Sequence, residues 1–215
     1  MSDQNVFVIS EDAAVRNHLV QLIAGDEFGT PLVFESSQDF MDRHEPGWCG
    51  CILLDLRMTA YAGLRLQRFR LSRGCSIPLV YLLVEQDVPV AIELINGVTF
   101  SSFEKPKAGP ELLDCVRDAL RWHREYCTQT AEQARLHALY ASTTLREREV
   151  LEGLARGWTN KQIGSELGVS PRTVEIYRGR LQQKLQAKSL AKLIQIFVQL
   201  SPATPASTNR PWRNH

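Results

Sequence analysis

Cys51-Ile52-Leu53-Leu54-Asp55 joins four consecutive apolar residues to a single carboxylate. A run this short, with no polar alternation, marks a strand buried on both faces, as in a parallel sheet covered by helices. The same kind of run recurs on either side. Val6-Phe7-Val8-Ile9 and Pro31-Leu32-Val33-Phe34 precede it, and Pro78 to Leu83 and Val98 to Phe103 follow it. Between the runs lie a polar segment with Phe40 and Met41 and three stretches of helical spacing. These are Val15, Leu19, Leu22 and Ile23; then Leu64, Leu66 and Phe69; then Leu112, Leu113, Val116 and Leu120 after Pro110. With a further helical face at about Val88 to Leu94, five strands alternating with five helices over residues 1–125 predict a doubly wound α/β domain with a five-stranded parallel sheet.

The chain has 215 residues, 23% charged and 44% hydrophobic, a globular composition. No stretch approaches the roughly 18 apolar residues of a membrane span, and residues 1–25 lack the basic-then-apolar pattern expected of a signal peptide. Cys49, Cys51, Cys75, Cys115 and Cys127 are odd in number, and Cys49-Gly50-Cys51 has no matching second pair, so neither a zinc knuckle nor a disulfide framework is indicated. Scattered thiols predict a cytoplasmic protein, with no membrane partner. His18, His44, His123 and His137 have no ligand-spaced neighbours and read as surface or packing residues.

The net charge of +1 conceals an asymmetry. Residues 1–125 carry 12 Lys and Arg against 18 Asp and Glu, whereas residues 126–215 carry 13 against 6. A basic module beside an acidic one points toward nucleic acid. From Leu112 to Tyr140 there is neither Gly nor Pro, so the last helix of the first half runs on as a connector over residues 126–142. Residues 143–200 read as four helices, and residues 201–215, rich in Pro, Ser and Thr, as a disordered tail.

The four helices are punctuated clearly. Thr144 with Glu147 is a capping box, Gly157 a stop, Thr159 a cap, Gly168 a stop, and Ser170-Pro171 a cap with proline in the first turn. A further cap falls at or just before Ser189. Ile163, Leu167 and Val174 point inward around the glycine turn, at helix-turn-helix spacing. The second helix of the pair would then present Arg172, Thr173, Glu175, Ile176, Arg178 and Arg180 to a major groove, with Lys161 and Lys184 alongside. Arginines suit phosphate or guanine, and Glu175 can accept from cytosine N4. The bland alternative is a helical docking domain whose arginines are merely solvated.

Thr144-Leu145-Arg146-Glu147-Arg148-Glu149-Val150-Leu151, Gly157, Asn160 to Ile163, Leu167 to Ser170, Thr173 to Glu175, Arg178, Lys184-Leu185 and Ser189 to Leu193 closely resemble the LuxR-type helix-turn-helix of FixJ-like response regulators. The resemblance implies transcriptional control by a homodimer on two-fold-related operator DNA. Tyr177 stands where the family usually carries histidine, a place where a half-buried tyrosine can pack and donate to phosphate.

Residues 5–125 resemble the receiver domain of two-component response regulators, a CheY/flavodoxin-like fold, through Leu53-Leu54-Asp55-Leu56-Arg57-Met58, Gly63 and Phe103-Glu104-Lys105-Pro106. The resemblance implies that Asp55 accepts a phosphoryl group from a sensor histidine kinase. Lys105 and Mg²⁺ would neutralise the added charge, the ion held by Glu11, Asp55 and the Arg57 carbonyl. Five positions depart from the pattern. Ser10 and Glu11 replace the two metal-holding acids, and Asp12 would begin the helix. Leu83 replaces the hydroxyl that reports phosphorylation, Ser102 the aromatic switch, and Thr59 a proline.

The resulting expectation is a sequence-specific DNA-binding regulator that works without conventional aspartyl-phosphate switching and requires no cofactor. Two alternatives stand beside it: a conventional regulator that uses Asp55, and a docking protein that does not bind DNA. The chain has no Walker loop, H-E-x-x-H pair or G-x-S-x-G elbow, so no enzyme is expected.

Overall fold

The computed structural model describes residues 5–26, 28–55, 60–83, 101–104 and 109–200. Among the described residues two compact units divide between Cys127 and Thr128.

The first unit is a parallel sheet with helices. Its strands are β1 (Asn5–Ile9), β2 (Leu32–Phe34), β3 (Gly50–Asp55), β4 (Leu79–Leu83) and β5 (Ser101–Glu104), in the order β2-β1-β3-β4-β5. Val98 to Phe100, assigned to the last strand from sequence, lie outside the described residues. Side chains alternate across each strand, which explains the unbroken apolar runs. Phe7, Ile9, Ile52, Leu54, Leu79, Tyr81 and Leu83 enter one core. Val6, Val8, Cys51, Leu53, Val80 and Leu82 enter the other, against Leu19 and Ile23. The first core contains an aromatic cluster in which Phe7 stacks on Trp48 at 5.0 Å and 7°, with Phe34 and Phe40 edge-on to each other.

Helix α1 (Ala13–Ala24) starts at Asp12, whose carboxylate accepts from the Ala14 and Val15 N–H groups. Helices α2 (Ser37–Arg43) and α3 (Ala60–Ser72) follow β2 and β3. Helix α4 (Pro110–Ala141) runs 32 residues, and nothing in its sequence would stop it sooner. Leu112, Val116 and Leu120 are buried in the first unit's own core. Among the described residues no helix is long and apolar enough to cross a membrane.

The second unit is all helical: the end of α4, then α5 (Leu145–Ala155), α6 (Asn160–Leu167), α7 (Pro171–Lys184) and α8 (Leu190–Leu200). Val150, Leu151, Leu154, Ile163, Val174, Leu181, Leu185, Leu193 and Ile196 form its core, joined by Leu136 of α4. The α4 end is finished by Arg148, which donates to the Tyr140 and Ala141 carbonyls and lies over the Tyr140 ring.

Candidate receiver pocket and DNA-reading surface

The C-terminal end of a parallel sheet is where such folds place ligands. Here β3 delivers Asp55 to that end, 1% exposed. Ser10, also buried and just beyond β1, donates its hydroxyl to Asp55 Oδ2 at 2.8 Å. Sequence reasoning identified both positions but not the bond between them. Asp12 is committed to capping α1, while Glu11 is exposed. Arg16 fixes the same loop, donating to the Ser10 carbonyl at 2.8 Å and the Glu11 carbonyl at 3.0 Å. Leu83 closes β4, only 6% exposed and in register with Glu104. Ser102 sits on β5 opposite Tyr81. Arg57, Thr59 and Lys105 lie outside the described residues, as does the segment 84–100.

The DNA-reading surface is assembled by local rules. Thr144 and Glu147 satisfy each other's backbone at the start of α5, and Thr159 and Gln162 do the same for α6. Gly168 adopts φ +67°, ending α6 in a left-handed turn that suits glycine. Ser170 caps α7 by accepting from the Thr173 N–H, and Pro171 occupies the first turn. Val174 and Leu181 then face the core, with Tyr177 half-buried against it. Arg172, Glu175, Ile176 and Arg180 are exposed on the other side, and Lys161 is exposed on α6. Ile176 is 51% exposed, an apolar residue on an otherwise polar face. Thr173 turns its hydroxyl toward Ser170 Oγ at 2.8 Å.

Two of the expected contact residues have other partners. Arg178 is not simply outward: its Nη1 donates to Asn160 Oδ1 at 3.0 Å, locking α7 to the start of α6. Lys184 Nζ lies 2.7 Å from Glu147 Oε2 and 3.3 Å from the Ser142 carbonyl, which makes it an internal tie between α7 and α5. Glu147 is 2% exposed. Burial raises its carboxyl, but hydrogen bonds from Lys184 and from the Thr144 backbone and hydroxyl prevail, and its pKa falls below the ordinary value.

The histidine and cysteine readings also need correction. His123 is 1% exposed and is followed one helical turn later by Cys127, with the Cys49 thiol on its other side. The H-x-x-x-C spacing in a helix was the available signal. Burial first, then the Arg70 guanidinium, lower the His123 pKa to about 4. His44 is a packing residue, edge-on to Trp48 and Phe69.

Residues 141–197 match the family of bacterial regulatory proteins of the luxR type. The transcriptional regulatory protein TdiR of Thauera aromatica is 34% identical over 189 residues, spanning 88% of this chain and 83% of TdiR. The transcriptional regulatory protein FixJ of Bradyrhizobium diazoefficiens is 33% identical over 192 residues, spanning 89% of this chain and 93% of FixJ. The solved structure of the response regulator StyR superposes with a TM-score of 0.83 at 31% identity, covering 92% of this chain and 99% of StyR.

Proposed function

The chain belongs to the FixJ-type response regulators, DNA-binding transcriptional regulators with a LuxR-type helix-turn-helix, and from that premise we propose that it acts without an aspartyl-phosphate switch. The observation that carries the proposal is the buried hydrogen bond from Ser10 to Asp55. In a conventional receiver that neighbour would be a second carboxylate, and a hard cation would bridge the two. A hydroxyl supplies no charge, and here it already donates to one of the Asp55 oxygens. With Asp12 spent on the α1 cap and Glu11 turned to solvent, the described residues do not fit a Mg²⁺ site. Leu83 has no hydroxyl with which to answer a phosphoryl group. A modification shifts a two-state equilibrium only through its differential interaction with the two states, and these replacements leave little of it.

Output runs through α7 in the major groove of operator DNA. Exposed Arg172, Glu175, Ile176 and Arg180 reach base edges or phosphates, and Lys161 adds a phosphate contact. Thr173 and Tyr177 shape the helix from its partly buried side, and Arg178 holds it against α6 while keeping guanidinium donors for phosphate. A single module of this size reads too few base pairs for high specificity, which supports a homodimer on two half-sites.

The test selects an operator from randomised duplexes with the full chain. Its affinity is then measured with and without acetyl phosphate and Mg²⁺, for wild type and Asp55→Asn. Equal affinities in all four conditions are expected. A gain above tenfold with the donor, abolished in Asp55→Asn, would restore the conventional reading and with it a sensor histidine kinase as partner.

A further inference from the structure

At the end of β3 opposite Asp55, three side chains from distant parts of the chain converge on one imidazole. Cys49 Sγ lies 3.5 Å from His123 Nδ1; Cys127 Sγ and Ser76 Oγ lie 3.4 and 3.1 Å from Nε2. Ligand atoms of Cys49, His123 and Cys127 all fall within 4.8 Å of one another. Neither the receiver pocket nor the DNA-reading surface uses this group.

The ring's tautomer decides what the group can hold. The Gly50 N–H donates to Nδ1 at 3.0 Å, so Nδ1 is the acceptor and Nε2 carries the proton. Gly50 cannot easily retreat, because it crosses β1 so closely that a Cβ there would lie 1.9 Å from the Asn5 carbonyl oxygen. A metal ion on Nε2 would force a proton onto Nδ1, facing that N–H. His123 is therefore a donor toward sulfur rather than a ligand, which leaves two thiols as the ligand set.

Two metal–sulfur bonds of about 2.3 Å span about 4.6 Å in line, so one ion fits between sulfurs this close. Zn²⁺ takes four ligands, whereas a soft monovalent ion is satisfied by thiolates alone. We propose that Cys49 and Cys127 bind one Cu⁺ ion, with His123 Nε2–H as the outer hydrogen-bond donor. Each thiol releases its proton to solvent as its Cu–S bond forms, and copper remains Cu⁺. The bis-thiolate unit carries one negative charge. The Nε2–H dipole and buried Arg70, whose positive field already acts on His123, offset it.

The experiment titrates Cu⁺ into the reduced full chain under anaerobic conditions against bicinchoninate, a chromophoric Cu⁺ chelator. One equivalent should bind. Cys49→Ser and Cys127→Ser should each weaken binding at least ~100-fold, and Cys115→Ser should not. His123→Asn, which keeps an acceptor for Gly50 but loses the Nε2 donor, should weaken it about tenfold. Far-UV circular dichroism checks that each variant is folded. X-ray absorption of the loaded wild type, which requires no variant, should count two sulfur neighbours and no nitrogen. Copper held equally by Cys49→Ser, no copper held at all, a nitrogen in the shell, or Zn²⁺ bound as tightly as Cu⁺ would each overturn the proposal.

Discussion

Gly153→Ala and Gly164→Ala are the same chemical change in neighbouring helices of the DNA-binding unit, and their outcomes should differ. Both glycines are buried, in α5 and α6. Alanine gains about 1 kcal/mol of helix propensity at each. At Gly164 the new Cβ would lie 2.6 Å from the Val169 carbonyl oxygen, 3.4 Å from Pro171 N and 3.5 Å from the Ser170 carbonyl carbon. All three are backbone atoms of the turn. That turn is pinned by the Val169 N–H bond to the Gly164 carbonyl at 2.9 Å, by left-handed Gly168 and by the Ser170 cap. It must shift by several tenths of an ångström, and overpacking of this kind costs about 1–3 kcal/mol, the upper end applying to a backbone neighbour. Net destabilisation of about 1–2 kcal/mol follows after the propensity gain. At Gly153 the nearest atoms are Ile163 Cγ1 at 2.8 Å and Cδ1 at 3.1 Å and Trp158 Cε3 at 3.3 Å, all side-chain atoms that yield more readily than backbone, so the cost is smaller and is largely offset by the gain. Thermal unfolding of the full chain reads the difference. The transition of the second unit should fall by about 5–10 °C for Gly164→Ala and by no more than ~3 °C for Gly153→Ala. Operator affinity should drop with the first alone, because the turn sets the angle of α7. A Gly164→Ala protein that melts at the wild-type temperature with full affinity would refute the reasoning.

Arg178→Ala should weaken operator binding by about 1–3 kcal/mol in salt-matched titrations with helical content unchanged. Arg178→Lys should recover little, since the Asn160 bond needs the guanidinium's reach. Lys184→Met leaves nearly buried Glu147 without its cation and should cost about 1–3 kcal/mol in urea unfolding, while the salt slope of DNA binding stays the same. Acid should destabilise the first unit early. With His123 depressed to about 4 from 6.5, its neutral form contributes stability that is complete above pH 6.5 and lost as pH falls toward 4. The loss should reach about 3 kcal/mol at most, and His123→Asn should flatten that limb of a stability profile taken from pH 7 to 4. Glu147, whose folded pKa is depressed, adds a second loss below its ordinary 4.5, confined to the helical unit and resolved by residue-level hydrogen exchange. Ser10→Asp combined with Leu83→Thr should confer measurable Mg²⁺ binding by isothermal titration; no heat from the double variant would mean that Ser10 and Leu83 are not what thins the site.

Features written within a few residues of one another were legible in the sequence. The caps at Thr144, Thr159 and Ser170 and the stop at Gly168 depend on bonds spanning three or four positions, and each sits where its residue type demands. The sheet was legible because a strand buried on both sides leaves no polar position in its run. Long-range pairings were not. Lys184 read as a flanking cation because Glu147, 37 residues earlier, had been assigned wholly to its capping box. The Cys49 thiol meets His123 across 74 residues. Cys49-Gly50-Cys51 looked like an unfinished metal motif, but Cys51 lies within β3 and is buried in the core, whereas Cys49 precedes the strand and is half-buried beside His123. Asp55 and Ser10 were recognised individually. Their bond was not, because a serine in place of an acid was read as a loss of function rather than as a donor with its own partner.

That donor also changes what the receiver pocket costs the fold. Carboxylates gathered at one sheet end repel each other, so a domain built that way is held together partly by the ion it recruits, and its melting temperature tracks divalent cation concentration. Ser10 turns one repulsive neighbour into an attractive one, and a buried Asp55 with a hydroxyl at 2.8 Å has less need of outside charge. The first unit should therefore be indifferent to chelators: EDTA and 10 mM Mg²⁺ should give superimposable melts. If so, divalent cations would play no part in holding this unit folded, and the amount of folded regulator would be expected to follow synthesis and turnover.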